Sequence, residues 1–142
     1  MILMVSFVSA QEINWISIDE AEAQMKKHPK KSLFVDFYTD WCGWCKRMDQ
    51  STFIEPEVVQ YINANYIPIK FDAELKDDVT FKGKVYKYVK GSNGRGVNSF
   101  AYFSLKGRMS YPSYAVITQD GETERILIGF MQKDKLIEGL KQ

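Results

Sequence analysis

Short apolar runs and amphipathic stretches alternate along the chain and predict alternating strands and helices. Residues 32–38 form a nearly continuous apolar run, which is typical of a strand buried on both faces. Further strands are predicted at residues 66–71, 114–118 and 123–128, the last two joined by a turn at 120–121. Helices are predicted at residues 17–28, 46–50, 98–106 and 132–140 and after Pro56, the first opened by the capping-box pair Ser17 and Glu20.

This order of elements predicts an α/β fold. Strands that alternate with helices pair in parallel, and the tight turn at residues 120–121 adds one antiparallel pair at the end. The expected architecture is a mixed central sheet with helices on both faces. An inserted β-hairpin is predicted near residues 79–89, turning at Lys82 and Gly83, and it is followed by a loop at residues 91–96.

Length and composition fit one soluble domain, which we place at residues 11–142. The chain has 142 residues, of which 45% are hydrophobic and 26% are charged, so it can bury a core without disulfides or metal. A net charge of +1 gives no general attraction to nucleic acid or anionic membranes.

Residues 76–108 are locally basic, with eight Lys and Arg against two Asp. The inserted segment is therefore either solvated decoration or a partner-docking rim formed by Lys82, Lys84, Tyr86 and Tyr88.

The first ten residues are uncharged and mostly apolar, and they are too short for a membrane-spanning helix. They are typical of the end of a secretory signal peptide, with Val8 and Ala10 at the small-residue positions before a cleavage site. This interpretation predicts a mature start near Gln11, no integral membrane span and a periplasmic or secreted protein. The alternative is an ordinary apolar N-terminal strand.

The chain has two cysteines, Cys42 and Cys45, placed between a buried strand and the start of a helix. The N–H groups and the dipole at a helix N-terminus stabilise a thiolate, so Cys42, at the exposed end of the turn, is expected to be the nucleophile. Cys45 lies one helical turn behind and can resolve a mixed disulfide. Redox activity is favoured over an inert bridge, which would close too short a loop to add much stability.

A metal or haem role for the cysteine pair is disfavoured. Zinc needs about four ligands, and only His28 is available besides carboxylates. A c-type haem attachment needs His directly after the second cysteine, where this chain has Lys46. No metal and no cofactor are therefore predicted.

The motifs together resemble the thioredoxin-like superfamily, in particular its exported members with Cys-Gly-Trp-Cys. Residues 34–46 (FVDFYTDWCGWCK) resemble the active-site strand and turn of thioredoxins, and the likeness extends over KRM at 46–48, TFIEPEV at 52–58, SYPSY at 110–114 and GF at 129–130. It covers about residues 13–142. The resemblance implies a thioredoxin fold and a thiol–disulfide oxidoreductase that acts on protein disulfides or thiols. It also implies an upstream thiol electron donor as a second partner.

The resemblance also implies roles for individual residues. Cys42 matches the attacking thiol, Cys45 the resolving thiol and Asp36 the buried acid of the active-site strand. Asp36 is unusual in its own right, because an ionised carboxylate is expensive to bury in an apolar strand. It is a candidate proton acceptor for Cys45. Pro112 matches the family's cis-proline, and the expected client contacts are Trp41, Gly43, Trp44, Tyr111 and Pro112.

Two departures from thioredoxin itself limit what the resemblance implies. Trp44 stands where thioredoxin has proline, so the redox potential and direction do not carry over; reduction or isomerisation is favoured over oxidation by resemblance alone. Pro68 falls where many thioredoxins carry a lysine near the buried acid, and Lys70 is two residues further on. A second functional hypothesis is a binding or chaperone-like module without turnover, which would have no need of Cys45.

Overall fold

The helices and strands are taken from a computed structural model that describes residues 3–4 and 11–142. The predicted signal-peptide residues lie outside this range except for Leu3 and Met4. The helices are α1 (Ala21–Lys27), α2 (Gly43–Gln50), α3 (Pro56–Asn65), α4 (Ser99–Ser104) and α5 (Lys133–Lys141). The strands are β1 (Ser32–Tyr38), β2 (Tyr66–Asp72), β3 (Val79–Phe81), β4 (Lys84–Tyr86), β5 (Tyr88–Lys90), β6 (Gly96–Asn98), β7 (Ser113–Ile117) and β8 (Thr123–Ile128). No helix in the described part is long and apolar enough to cross a membrane.

The central sheet has the strand order β2-β1-β7-β8 and is mixed, as predicted. Strands β1 and β2 are parallel, whereas β7 is antiparallel to both β1 and β8. The expectation of a single antiparallel pair was therefore wrong. Asp72 at the end of β2 pairs with Tyr38, and Ser113 at the start of β7 pairs with Phe37. Because the chain leaves and re-enters the sheet at the same end, β7 must run against β1.

Strand β1 divides the core into two layers. Its side chains alternate between the faces of the sheet, as strand geometry requires. Leu33, Val35 and Phe37 belong to one buried cluster, and Phe34 belongs to the other, together with Met48 of α2. The alternation places Asp36 on the same face as Phe34, beneath α2, and Asp36 is only 2% exposed. Asp36 is thus held in a layer that is built mainly from apolar side chains.

The insertion contains two hairpins rather than the one predicted for residues 79–89. Strands β3 and β4 form the first, with positive φ at both Lys82 and Gly83 in its two-residue turn. The extended chain is interrupted at Lys87, whose N–H donates to Ser99 Oγ at 3.0 Å and whose carbonyl accepts from Ser99 N at 2.8 Å. Strand β5 then pairs with β6 to form the second hairpin, so part of the predicted loop at 91–96 is its connection.

Candidate active site

Cys42 and Cys45 lie where β1 has ended and α2 begins, and they are joined by a disulfide. Cys42 is the N-cap of α2, and its Sγ accepts a hydrogen bond from Cys45 N at 3.1 Å. A sulfur in this position faces the free N–H groups and the positive end of the helix dipole, which favour its thiolate when the bond is reduced. The predicted chemical difference between the two cysteines therefore has a geometric basis.

Exposure does not distinguish the two cysteines. Cys42 and Cys45 are each 4% exposed, so the expectation that Cys42 lies at an exposed end of the turn was wrong for this disulfide form. The indoles that directly precede the two cysteines are exposed, Trp41 at 53% and Trp44 at 55%. A partner that approaches the disulfide therefore meets apolar surface beside it.

Each indole is held by its own set of contacts. Trp41 Nε1 donates to Glu74 Oε1 at 2.7 Å, and the Arg95 guanidinium lies 4.8 Å from the Trp41 ring centroid. Trp44 packs at 5.5 Å from the Phe130 ring, with the guanidinium of Arg47 also 5.5 Å from the Trp44 ring. The two indoles therefore have defined orientations despite their exposure.

Tyr111 and Pro112 lie on the loop that leads into β7, and the peptide bond between them is cis. The Tyr111 ring meets Trp41 edge to face at a centroid distance of 5.9 Å, so the structure brings these two predicted client contacts together.

A Cβ placed on Gly43 would have no atom within 4 Å, which leaves open space above this backbone. Nothing in the packing of the described residues requires glycine at this position.

Asp36 forms a buried ion pair with Lys70. Asp36 Oδ2 lies 2.6 Å from Lys70 Nζ, while Oδ1 has no hydrogen-bond partner among the described residues. Burial raises the pKa of Asp36 from 3.8 to about 6, although the positive charge of Lys70 opposes the rise. Burial is the largest single influence on the pKa of Lys70 and would lower it, but the charges and hydrogen bonds of Asp36 and Asp49 together outweigh burial, so the pKa is raised.

The ion pair settles which lysine accompanies the buried acid. In the parallel register of β1 and β2, Lys70 lies opposite Asp36 and Pro68 lies opposite Phe34. The lysine beside the buried acid is therefore Lys70, two residues after Pro68 on β2. Lys70 Nζ also contacts Asp49 Oδ1 of α2 at 2.5 Å. The lysine thus links a buried carboxylate to a half-exposed one.

Sequence reasoning missed three charged residues around the site. Asp49 follows Cys45 by four residues on one helix, a spacing that places both on the same side and could have marked it. Glu74 and Arg95 contact Trp41 from distant parts of the chain, and no local pattern in the sequence marks either of them. They are found only once the insertion is folded against the site.

A buried strand that leads into a Cys-X-X-Cys helix, with a buried acid behind it and a Tyr-Pro loop beside it, defines a thioredoxin-fold protein with a dithiol/disulfide site. The family model Thioredox_DsbH, described as "Protein of unknown function, DUF255", matches residues 5–125. The chain belongs to this family. It is a thioredoxin-like thiol–disulfide oxidoreductase that carries the disulfide Cys42–Cys45.

Individual relatives agree with this assignment. The chain is 29% identical over 121 residues to the thiol:disulfide interchange protein DsbD of Neisseria meningitidis, covering 85% of this chain but only 17% of that protein. The oxidised C-terminal domain of Neisseria meningitidis DsbD superposes with a TM-score of 0.58 at 27% identity, covering 94% of this chain and 98% of the domain. A putative disulphide-isomerase from Bacteroides thetaiotaomicron superposes with a TM-score of 0.63 at 26% identity, covering 94% of this chain and 93% of that protein's chain.

Proposed function

We propose that this protein reduces or isomerises disulfides of protein clients through Cys42 and Cys45. The observation that carries the proposal is the position of Cys42 as the N-cap of α2, with Cys45 N donating to its sulfur. In the reduced protein the Cys42 thiolate attacks one sulfur of a client disulfide, and the other client sulfur leaves as a thiolate. Cys45 then attacks Cys42, the client cysteine leaves as a thiolate, and two electrons have passed to the client.

Asp36 is proposed to accept the proton of Cys45 in the second step. Its pKa of about 6 keeps it ionised at neutral pH yet basic enough to take up a proton. Side-chain exposure rises from 3% at Asp36 to 25% at Lys70 and 44% at Asp49. These three groups therefore form a polar connection from the buried carboxylate to solvent, along which the proton can be returned.

The donor, the direction and the place of action complete the proposal. An upstream dithiol reduces the Cys42–Cys45 disulfide after each turnover, and the names of the relatives, thiol:disulfide interchange protein and putative disulphide-isomerase, support reduction or isomerisation. Export is supported by the apolar first ten residues with Val8 and Ala10. Expression of the chain in a bacterium and mass measurement of the recovered protein tests this point, since export with processing gives a mature form starting at Gln11.

The exchange reaction is tested with insulin as the disulfide and dithiothreitol as the donor. Wild type is expected to accelerate reduction, and Cys42→Ser is expected to abolish the acceleration. Cys45→Ser should accumulate mixed disulfides with clients, because release requires the second thiol. Equal activity of wild type and Cys42→Ser, or client binding that neither serine variant alters, would replace this proposal with the binding-module hypothesis.

A further inference from the structure

A groove of about 730 Å³ opens beside Trp41 and Tyr111. The second hairpin of the insertion and helix α4 form its walls. Besides Trp41, three of the lining side chains are large and apolar yet remain exposed: Val89 at 57%, Tyr102 at 48% and Phe103 at 64%. Its volume is within the range of sites that bind small molecules or peptide side chains. The groove therefore offers a concave apolar surface that the protein's own side chains leave uncovered.

The groove is continuous with the exchange site. Trp41 directly precedes Cys42 and Tyr111 directly precedes Pro112, and both side chains line the groove. A client cysteine bonded to Cys42 would therefore have its neighbouring residues beside the groove entrance. An extended chain advances about 3.3 Å per residue, so the residues nearest that cysteine are the ones within reach.

The charges in the groove favour an uncharged occupant. Glu74 and Arg95 are the charged residues among those that line it, and they have opposite signs. Both are already engaged with Trp41, Glu74 through a hydrogen bond of 2.7 Å and Arg95 by stacking at 4.8 Å. The rest of the lining is mainly apolar, so an aliphatic or aromatic side chain gains most by entering it.

The hairpin that forms the wall has a fixed position. A Cβ placed on Gly96 would lie 2.5 Å from Tyr88 Cζ, so glycine allows β6 to approach Tyr88 closely. Asn98, which is fully buried, donates through Nδ2 to the carbonyls of Leu75 and Asp77 at 3.2 and 3.0 Å. These contacts hold β5, and with it Val89, at the edge of the groove.

We propose that this groove binds an extended segment of the client polypeptide next to its disulfide-bonded cysteine and takes one aliphatic or aromatic side chain from it. The inference rests on the proposed function, because the mixed disulfide with Cys42 is what brings the segment to the groove. The insertion thereby selects clients by the residues that flank their cysteines. The occupied surface is the second hairpin, whereas Lys84 and Tyr86 of the first hairpin line a different groove.

The test uses synthetic peptides with one cysteine, blocked as the mixed disulfide with thionitrobenzoate. In the Cys45→Ser protein, attack by Cys42 on the peptide sulfur joins peptide and protein and releases coloured thionitrobenzoate, the better leaving group. A single Leu is moved through the three positions on either side of the cysteine in an otherwise Ser and Gly peptide. The second-order rate constant of each peptide is compared with that of the peptide without Leu.

We expect at least one Leu position to react about 10-fold faster, the size of discrimination that an apolar pocket provides. Val89→Asp should bring the ratio of the two rate constants, with and without Leu, close to one. Val85→Asp is the matched control, because Val85 is 58% exposed on the first hairpin and does not line the groove, and it should keep the ratio. These results together would support the inference.

The outcomes separate the inference from the proposed function. Exchange with every peptide but no Leu preference at any position would overturn the groove and leave the oxidoreductase intact. No exchange with any peptide would overturn both. Equal loss of the ratio in Val89→Asp and Val85→Asp would also overturn the inference, because the effect would then not belong to the groove. If Val89→Asp does not fold, the Leu scan on the protein with an unsubstituted groove still tests the proposal, because the absence of any Leu preference would overturn it.

Discussion

Replacing Asp36 with Asn is expected to stabilise the protein at neutral pH, because the buried carboxyl opposes folding when it is ionised. Burial raises the pKa of this group from 3.8 to about 6. Between these two values the folded protein holds a proton that the unfolded chain has released. The free energy of unfolding therefore falls as pH rises through this window, and the full loss remains at higher pH.

The size of the effect follows from the pKa difference. One pKa unit corresponds to about 1.36 kcal/mol, so ionised Asp36 lowers the free energy of unfolding by about 3 kcal/mol at pH 8 and by about 0.5 kcal/mol at pH 4. The attraction of Lys70 is already contained in this pKa. In Asp36→Asn, Lys70 keeps its contact with Asp49, so the substitution does not leave the lysine without a carboxylate.

Urea unfolding of the oxidised protein at pH 4 and pH 8 measures this difference. Asp36→Asn should exceed wild type by about 3 kcal/mol at pH 8 and by little at pH 4. Asp49→Asn is the control, since it removes a half-exposed carboxylate from the same lysine and should bring no gain. An Asn variant that is no more stable than wild type at pH 8, or that gains equally at both pH values, would refute the reasoning.

Two further predictions concern the reaction itself. In the reduced protein, iodoacetamide should modify Cys42 before Cys45, and the rate of modification should titrate below the ordinary thiol pKa of about 8.5, because Cys42 caps α2. Peptide mapping identifies the modified cysteine. Modification of Cys45 before Cys42 would reverse the assigned roles. Lys70→Met should raise the pKa of Asp36 further by removing its cation. In protein that retains Cys45, the pH midpoint for release of a peptide from its mixed disulfide with Cys42, measured by rapid acid quench, should therefore move upward. A midpoint that does not move would show that Asp36 is not the proton acceptor.

The central sheet and the cysteine pair were predictable because their signals are local. The apolar run at residues 32–38 identifies a strand with both faces covered, and β1 is indeed buried from Leu33 to Phe37. The position of Cys42 at the start of a helix follows from that strand and the residues after it. Asp36 was conspicuous because the apolar residues on both sides favour burial over a solvent-facing position, and an ionised carboxylate is expensive to bury.

The insertion was only partly predictable because its alternation permits more than one pairing. Val85, Lys87 and Val89 alternate with Tyr86 and Tyr88 over a length that fits one long strand. The break at Lys87 depends on its two hydrogen bonds with Ser99, which the local sequence does not contain. The second hairpin follows from a tertiary contact, and so does the position of Arg95 over Trp41.

The antiparallel direction of β7 connects the insertion to the chemistry. Because β2 ends and β7 begins at the same end of the sheet, the segment between residues 72 and 113 leaves and re-enters the sheet at that end, which is also where Cys42 begins α2. A parallel β7 would instead require this segment to re-enter the sheet at the opposite end. The strand direction therefore lets the second hairpin form a wall beside Trp41, and the proposed client groove lies next to the exchange site without being lined by Asp36, Cys42 or Cys45.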